Sequence, residues 1–299
     1  MVALDRYAPA IRLDEPFAPL PAPPGVDEAE ARDEALEWLL REHGRTLASV
    51  PRGTDAEALF RRLLTIRHPG GIPSRVHACL DQVLAGRARA RGAVGPNELR
   101  AEPGPALPVG GSVVRIWRGD ITRLALDAIV NAANAVLLGC FRPGHDCIDN
   151  AIHNAAGPRL RDDCATIIDL QGRREDTGDA KITRAYHLPS RFVLHTVGPI
   201  VADGRVQAKD EHALAASYRS CLDLAHSIRS VRTIAFCAIS TGVFGYPKNE
   251  AAEVAVRTVS SWLREHPGAL DLVVFNVFSD ADHDAYRKVM GAAGQEAAS

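Results

Sequence analysis

The stretch "RTIAFCAISTGVFGYPKN", residues 232–249, has the pattern of a buried strand that passes through a short loop into a helix. Its first half is continuously apolar, and Pro247 supplies the fixed φ angle that suits the first turn of a helix. The loop between them, residues 240–246, is rich in small residues, so that successive backbone N–H groups can face an anion. A strand, a loop and a helix in this order indicate an α/β fold.

Four further apolar runs repeat this pattern after residue 111, at residues 112–117, 127–133, 191–197 and 270–278. Helical stretches separate them. Continuously apolar strands that alternate with helices indicate a sheet covered on both faces, with most strands parallel. We therefore predict an α/β domain over residues 112–293.

The residues before this domain have a different character. Helix-start signals of the capping-box type occur at Asp27-x-x-Glu30 and Thr54-x-x-Glu57, and Pro73 can begin a third helix, so residues 25–95 are predicted to be helical. Residues 1–24 read as a Pro-rich arm. Residues 96–111 contain many Pro and Gly residues without periodicity and are predicted to be a linker.

Composition excludes some functional classes. The 299 residues carry a net charge of −2, which gives no general attraction to nucleic acid or to an anionic membrane. We find no signal peptide and no apolar run long enough to span a membrane. Six cysteines are too few for a disulfide framework in a chain of this length. A reduced, cytoplasmic setting is therefore expected, and there closely spaced Cys and His residues favour a metal.

The sequence "GCFRPGHDCIDN", residues 139–150, contains such a spacing, Cys140-x4-His145-x-Cys147. Thiolate and imidazole are preferred zinc ligands, and three of them leave one position open, as catalytic zinc sites do. Two alternatives stay open from spacing alone. The site could be a closed structural one completed by Asp149 or Cys164, or there could be no metal.

Polar residues follow several predicted strands: Asp120 after the first, Asn131 and Asn134 after the second. Ligands of open α/β sheets bind beyond the carboxyl ends of the strands, which makes these residues candidates for a binding site. Each signal also has a plain structural explanation, since Asp caps helices and Asn is common in turns. Likewise His195, within an apolar run, is read as a core histidine.

Taken together and in order, the motifs GDIT, NAAN, CIDNAIHNAAG, GDAKITRAY, HTVGP and STGVFGYP resemble those of macrodomains, three-layer α/β/α modules that bind ADP-ribose. The segment "GCFRPGHDCID" replaces the usual glycine-rich loop and resembles the zinc-containing branch of bacterial and fungal protein-ADP-ribose hydrolases. That branch also has a helical N-terminal segment with a motif like "LLTIRHPGGIP", here residues 63–73, so the resemblance covers nearly the whole chain.

Carried over by motif, the resemblance implies that Asp120 binds the adenine amino group and that Ile121 lines the adenine pocket. Asn131 and Asn134 would contact the distal ribose, and with Asp149 they would form the catalytic set. Asp149 matches the helix-start aspartate of related hydrolases.

The resemblance implies further contacts. Backbone amides of one loop would wrap the diphosphate: Ser240, Thr241, Gly242, Val243, Phe244, Gly245 and Tyr246. Phe278 would border the adenosine, while Cys140, His145 and Cys147 would hold one Zn²⁺ ion beside the distal ribose. Asn150 stands where relatives often have Gly, which puts the transfer of their detailed mechanism in question.

The implied function is zinc-dependent removal of mono-ADP-ribose from an oxygen-linked protein side chain, most simply an acidic one, with release of ADP-ribose. The alternative is a reader that binds ADP-ribosylated protein without cleaving it and uses zinc only to shape the loop. Some relatives are encoded beside a sirtuin-type transferase and a lipoyl-carrier protein similar to the glycine cleavage H protein, which makes such a carrier a candidate substrate. We expect a monomer that does not bind nucleic acid or membranes.

Overall fold

The computed structural model describes residues 2–296 and has a seven-stranded sheet at its centre. The strands are β1 (Ala106–Val109), β2 (Ser112–Arg118), β3 (Ala128–Ala132), β4 (Ala180–Arg184), β5 (Phe192–Thr196), β6 (Thr233–Phe236) and β7 (Leu272–Val277). Their order across the sheet is β1-β2-β7-β6-β3-β5-β4. The four central pairings are parallel, and both outer strands, β1 and β4, pair antiparallel. The mixed, largely parallel sheet is as predicted.

Ten α-helices occur within the described residues: α1 (Leu4–Tyr7), α2 (Glu28–Arg41), α3 (Ala56–Ile66), α4 (Ser74–Arg91), α5 (Pro96–Ala101), α6 (Ile148–Ala156), α7 (Pro158–Gln171), α8 (Ala208–Ser227), α9 (Lys248–Glu265) and α10 (Asp280–Glu296). Helices α8, α9 and α10 pack side by side, and α6 packs against α7 and β3. Strands β6 and β7 are buried along their whole length, and β3 is buried except at Ala132, because helices cover them. The predicted three-layer α/β/α architecture is confirmed. No helix within residues 2–296 is both long and apolar enough to cross a membrane.

The segment predicted to be a linker, residues 96–111, contains regular structure. It holds α5 and β1, and β1 forms a hairpin with β2 through Gly110 and Gly111, both at positive φ. Only Leu107 and Val109 of this strand face inward, with Pro108 between them. Two inward-facing apolar residues with a proline between them do not distinguish an edge strand from a linker in the sequence.

The N-terminal residues also differ in detail from the sequence-based picture. In the predicted arm, Tyr7 belongs to the core of the sheet domain, and its hydroxyl accepts a hydrogen bond from the Ile182 N–H at 3.1 Å. The capping box at Asp27 is present. The box predicted at Thr54 is wrong: Asp55 caps α3, and Thr54 Oγ1 instead donates to Pro51 O.

Helices α2, α3 and α4 share a hydrophobic cluster of their own. The buried carboxylate of Asp81 on α4 connects this helical region to the rest of the chain. It accepts hydrogen bonds from the Leu20 N–H (2.7 Å) and from Arg159 on α7, and it contacts His187 Nε2 at 2.8 Å. Burial alone would raise the pKa of Asp81, but the hydrogen bonds from His187, Arg159 and Leu20 outweigh it and lower the pKa to about 2.

We expect Asp81→Asn to lower the free energy of unfolding by about 3 kcal/mol at neutral pH, because the substitution leaves Arg159 without its buried counter-charge. Because the folded-state pKa is depressed, this contribution is complete above the ordinary pKa of about 4 and is lost as the pH falls toward 2. Urea unfolding of both proteins should therefore show a difference that shrinks between pH 5 and pH 3.

Asp176→Asn is the control, since Asp176 forms an exposed ion pair with Arg173 and should matter little to stability. Equal stability of Asp81→Asn and wild type at pH 7 would contradict a stabilising role for the Asp81 carboxylate.

Candidate functional site

A cavity of about 450 Å³ opens at the carboxyl ends of the parallel strands β3, β6 and β7. Its wall includes most of the residues predicted for the site: Asn134, Cys140, His145, Cys147, Asp149, Ser240, Thr241, Gly242, Val243, Phe244 and Phe278. A groove of larger volume, about 700 Å³, lies between β1, α9 and α10, but none of the predicted site residues lines it. The cavity beside β3 is therefore the candidate site.

The metal candidates converge as their spacing predicts. One ligand atom from each of Cys140, His145 and Cys147 lies within 4.8 Å of the others, and Cys140 Sγ is 3.2 Å from His145 Nδ1. All three side chains are half-buried, and Cys147 is also the N-cap residue of α6. Two sulfur atoms and one imidazole nitrogen at these separations fit a single Zn²⁺ ion, and Cys164 is not part of the group.

Asn150 fastens this loop from the helix that follows it. Its side-chain amide donates to the carbonyl oxygens of Arg142 and His145, both at 3.0 Å, and its backbone N–H points at Cys147 Sγ. On the other side of the loop, Asn134 Nδ2 donates to Gly139 O at 2.9 Å. A glycine at position 150 could make neither side-chain bond. Asn150, where relatives often have Gly, therefore stabilises the loop that carries the metal ligands, residues 139–147.

Asp149 lines the cavity wall, and its carboxylate accepts a hydrogen bond from a buried side chain. Asn131 Nδ2 donates to Asp149 Oδ1 at 2.8 Å and also lies 3.2 Å from His195 Nδ1. Among the described residues, no group donates to Asp149 Oδ2. Burial raises the pKa of Asp149 to about 6, against the opposing effect of the bond from Asn131.

The structure places Asn131 differently from the role implied by the resemblance. Its side chain is fully buried, is not part of the cavity wall and donates to Asp149. Its contact with the distal ribose stays a prediction. His195 is the core histidine predicted from its apolar surroundings. Its Nε2 is 3.0 Å from Thr183 Oγ1, and burial lowers its pKa to about 3, which keeps the ring neutral.

A second group of potential ligands, His153, Cys164 and His195, is buried below the cavity, with ligand atoms within 4.8 Å. Both ring nitrogens of His195 already have hydrogen-bonding neighbours, in Asn131 and Thr183. The buried Arg161 nearby also disfavours another cation, since burial and this neighbour both lower the pKa of His153. We interpret this group as a polar cluster of the core.

The loop after β6 presents its backbone to the cavity. Within residues 2–296, the four successive N–H groups from Thr241 to Phe244 donate to no protein acceptor. Ser240 has a positive φ of 66°, and Tyr246 N–H closes the loop by donating to Ser240 O at 3.0 Å. A row of free N–H groups before helix α9 is suited to bind phosphate oxygens.

Five predicted residues do not line the cavity: Asp120, Ile121, Asn131, Gly245 and Tyr246. Asp120 accepts hydrogen bonds from the backbone and hydroxyl of Thr122. The neighbouring Gly119 O accepts from Asn276 Nδ2, and Asn276 does line the cavity. Sequence reasoning missed Asn276, although a single polar residue near the end of an apolar strand could have indicated it.

Sequence reasoning also missed Lys248 and Asp282, which line the cavity and form an ion pair of 2.7 Å across its α9–α10 side. Arg142 lines the cavity from the metal loop. Phe278 and Val243 are strongly exposed, at 79% and 72%, and border the cavity with apolar surface.

Comparisons with known proteins agree with this geometry. The family model described as "Macro domain" matches residues 130–255. The chain is 44% identical over 270 residues to a protein of Treponema medium named "Protein-ADP-ribose hydrolase", an alignment that covers 89% of this chain and all of the relative. It is 53% identical over 181 residues to a Staphylococcus aureus protein of the same name, covering 60% of this chain and 67% of the relative.

Solved structures are similar as well. The Oceanobacillus iheyensis macrodomain with ADP is 37% identical, with a TM-score of 0.57, and the match covers 64% of this chain and 96% of that one. The Trypanosoma brucei macrodomain in complex with ADP-ribose is 33% identical, with a TM-score of 0.58, over 76% of this chain and 94% of that one. With a relative matched over its whole length, the chain belongs to the macrodomain family.

Proposed function

We propose that this protein removes mono-ADP-ribose from an oxygen-linked side chain, most simply a carboxylate ester of Asp or Glu, and that it requires zinc to do so. The coarser prediction, that the chain is a protein-ADP-ribose hydrolase, is confirmed by relatives that carry this name at 44% and 53% identity. One observation carries the finer proposal: the Cys140, His145 and Cys147 group and the Asp149 carboxylate face the same cavity.

The loop at residues 240–244 and the apolar rim would hold the ADP part of the substrate. The four free N–H groups from Thr241 to Phe244 can donate to the diphosphate, and the exposed ring of Phe278 offers a surface for the adenosine. With the diphosphate on this loop, the distal ribose extends toward the opposite wall. That wall is formed by Asp149 and the metal loop.

Cleavage is a displacement at C1″ of the distal ribose. The oxygen of a water forms a bond to C1″, and the bond from C1″ to the acceptor oxygen breaks, with its electron pair leaving on the acceptor carboxylate. Asp149 takes the proton of the attacking water, as a general base does. Its Oδ1 is fixed by Asn131, which leaves Oδ2 for that proton.

The three ligands Cys140, His145 and Cys147 would hold the zinc beside the ribose. When bound, zinc supplies Lewis-acid chemistry, which polarises an oxygen and lowers the pKa of water. Asn134 and Asn150 keep the ligand-bearing loop in place through the carbonyl groups of Gly139, Arg142 and His145. Such supporting bonds orient metal ligands and contribute to metal affinity.

The identity of the modified protein stays a prediction. A lipoyl-carrier protein is a candidate only through the resemblance. A monomeric state, a cytoplasmic location and the absence of nucleic-acid and membrane binding likewise remain expectations from the sequence.

We expect Asp149→Ala to lower turnover of a mono-ADP-ribosylated acceptor at least about 100-fold, the usual contribution of a positioned general base. Affinity for free ADP-ribose should change only a few-fold, since the diphosphate loop is untouched. Single-turnover release of ADP-ribose and calorimetric binding measure the two effects. Asp169→Ala, at an exposed position of α7, is the control. Near-normal turnover in Asp149→Ala would refute the assignment of the base.

Removal of zinc should abolish ADP-ribose release and leave ADP-ribose binding intact. The measurement is product release from an ester-linked acceptor after chelation, and again after Zn²⁺ is added back. Cys140→Ser and Cys147→Ser should resemble the chelated protein. ADP-ribose release that continues after full chelation would show that the reaction does not require zinc. Binding without release on every acceptor tested, in the zinc-loaded protein, would favour the reader.

A further inference from the structure

The aromatic residue next to the first metal ligand is held between two parts of the chain. The ring of Phe141 stacks on the ring of His68, with centroids 4.9 Å apart and an interplanar angle of 24°. The guanidinium of Arg161 also packs on the Phe141 ring, 4.6 Å from the ring centroid. His68 follows α3 in the N-terminal helical region, and Arg161 belongs to α7 of the macrodomain.

Arg161 is itself fixed by the N-terminal region. The side chain is only 4% exposed, and its Nη1 donates to Leu64 O at 2.9 Å and to Arg67 O. These carbonyls belong to the last turn of α3 and its C-cap. Residues 64–68 therefore hold Phe141 twice, directly through His68 and indirectly through Arg161.

More contacts join the same two segments. Asn154 on α6 donates to Thr65 Oγ1 at 2.9 Å, and the Gly70 N–H donates to Asp162 Oδ1 at 3.1 Å. The motif "LLTIRHPGGIP" thus lies against α6, α7 and the metal loop along much of its length. The mechanism proposed above assigns it no task.

Phe141 needs such support. Its φ of 53° lies in the left-handed region, which costs free energy for a residue with a side chain as large as phenylalanine. Gly139, two residues earlier, also has a positive φ, of 85°. Cys140 lies between these two residues. The direction of its side chain therefore depends on a backbone conformation at Phe141 that is unfavourable for a non-glycine residue.

We propose that the N-terminal helical region positions the metal loop, with His68 and Arg161 holding Phe141 so that Cys140 points at the metal. The inference rests on the proposed zinc site but not on the reaction. His68 is a positioning residue here, since it is not one of the three candidate ligands and does not line the cavity.

The test is zinc affinity of the full-length protein, measured by competition with a chromophoric chelator, with Co²⁺ absorption as a report on ligand geometry. His68→Ala should weaken zinc binding about ten-fold, the lower end of the effect of residues that support metal ligands. His68→Phe keeps a ring over Phe141 and should restore the affinity. His266→Ala removes a ring stacked on Trp262, 4.3 Å away and outside the site, and should leave it unchanged.

A double-mutant cycle separates a specific effect from general loosening. If His68 acts through Phe141, His68→Ala should cost nothing further in a Phe141→Ala background. Zinc affinity of His68→Ala within two-fold of wild type would overturn the inference while leaving the hydrolase proposal intact. Equal losses in His68→Ala and His68→Phe would overturn it too. A wild-type chain that binds no zinc would overturn both this inference and the zinc requirement of the proposed function.

Discussion

Parallel pairing of β2, β7, β6, β3 and β5 is the constraint on which the site depends. Because these strands run in one direction, the loops that follow β3, β6 and β7 meet at one edge of the sheet. The loop with the metal ligands, residues 139–147, follows β3, the loop of free N–H groups, residues 240–244, follows β6, and Phe278 follows β7. Residues far apart in sequence, such as Cys140 and Phe278, thereby line one cavity without any bond between them.

Below that edge, a buried polar layer sets the direction of the Asp149 carboxylate on the cavity wall. Asn131 ends up between Asp149 and His195, and His195 contacts Thr183 on the outer strand β4. With His195 kept neutral by burial, its Nδ1 can accept from Asn131, and the amide is then oriented toward Asp149. The buried core of the sheet thus orients the Asp149 carboxylate through Asn131, on the side away from the cavity.

The sequence was sufficient for features that depend on local pattern. The central strands were predictable because burial on both faces makes them continuously apolar, and the metal ligands because three such residues within one short loop must lie close together. Strand β1 was missed since only Leu107 and Val109 mark it. The bond from Asn131 to Asp149 could not be predicted: its partners, Asp149 and His195, lie 18 and 64 residues away, and the register of β3 against β5 brings His195 beside it.

A role for the N-terminal helical region follows from the place of its contacts with the macrodomain. The match to the Oceanobacillus iheyensis macrodomain with ADP covers 96% of that protein and 64% of this chain. Residues 64–70, at the end of α3 and just after it, contact α6, α7 and Phe141 beside the metal ligands. Contacts of this kind, made by a segment outside the cavity, are those by which a protein orients its metal ligands.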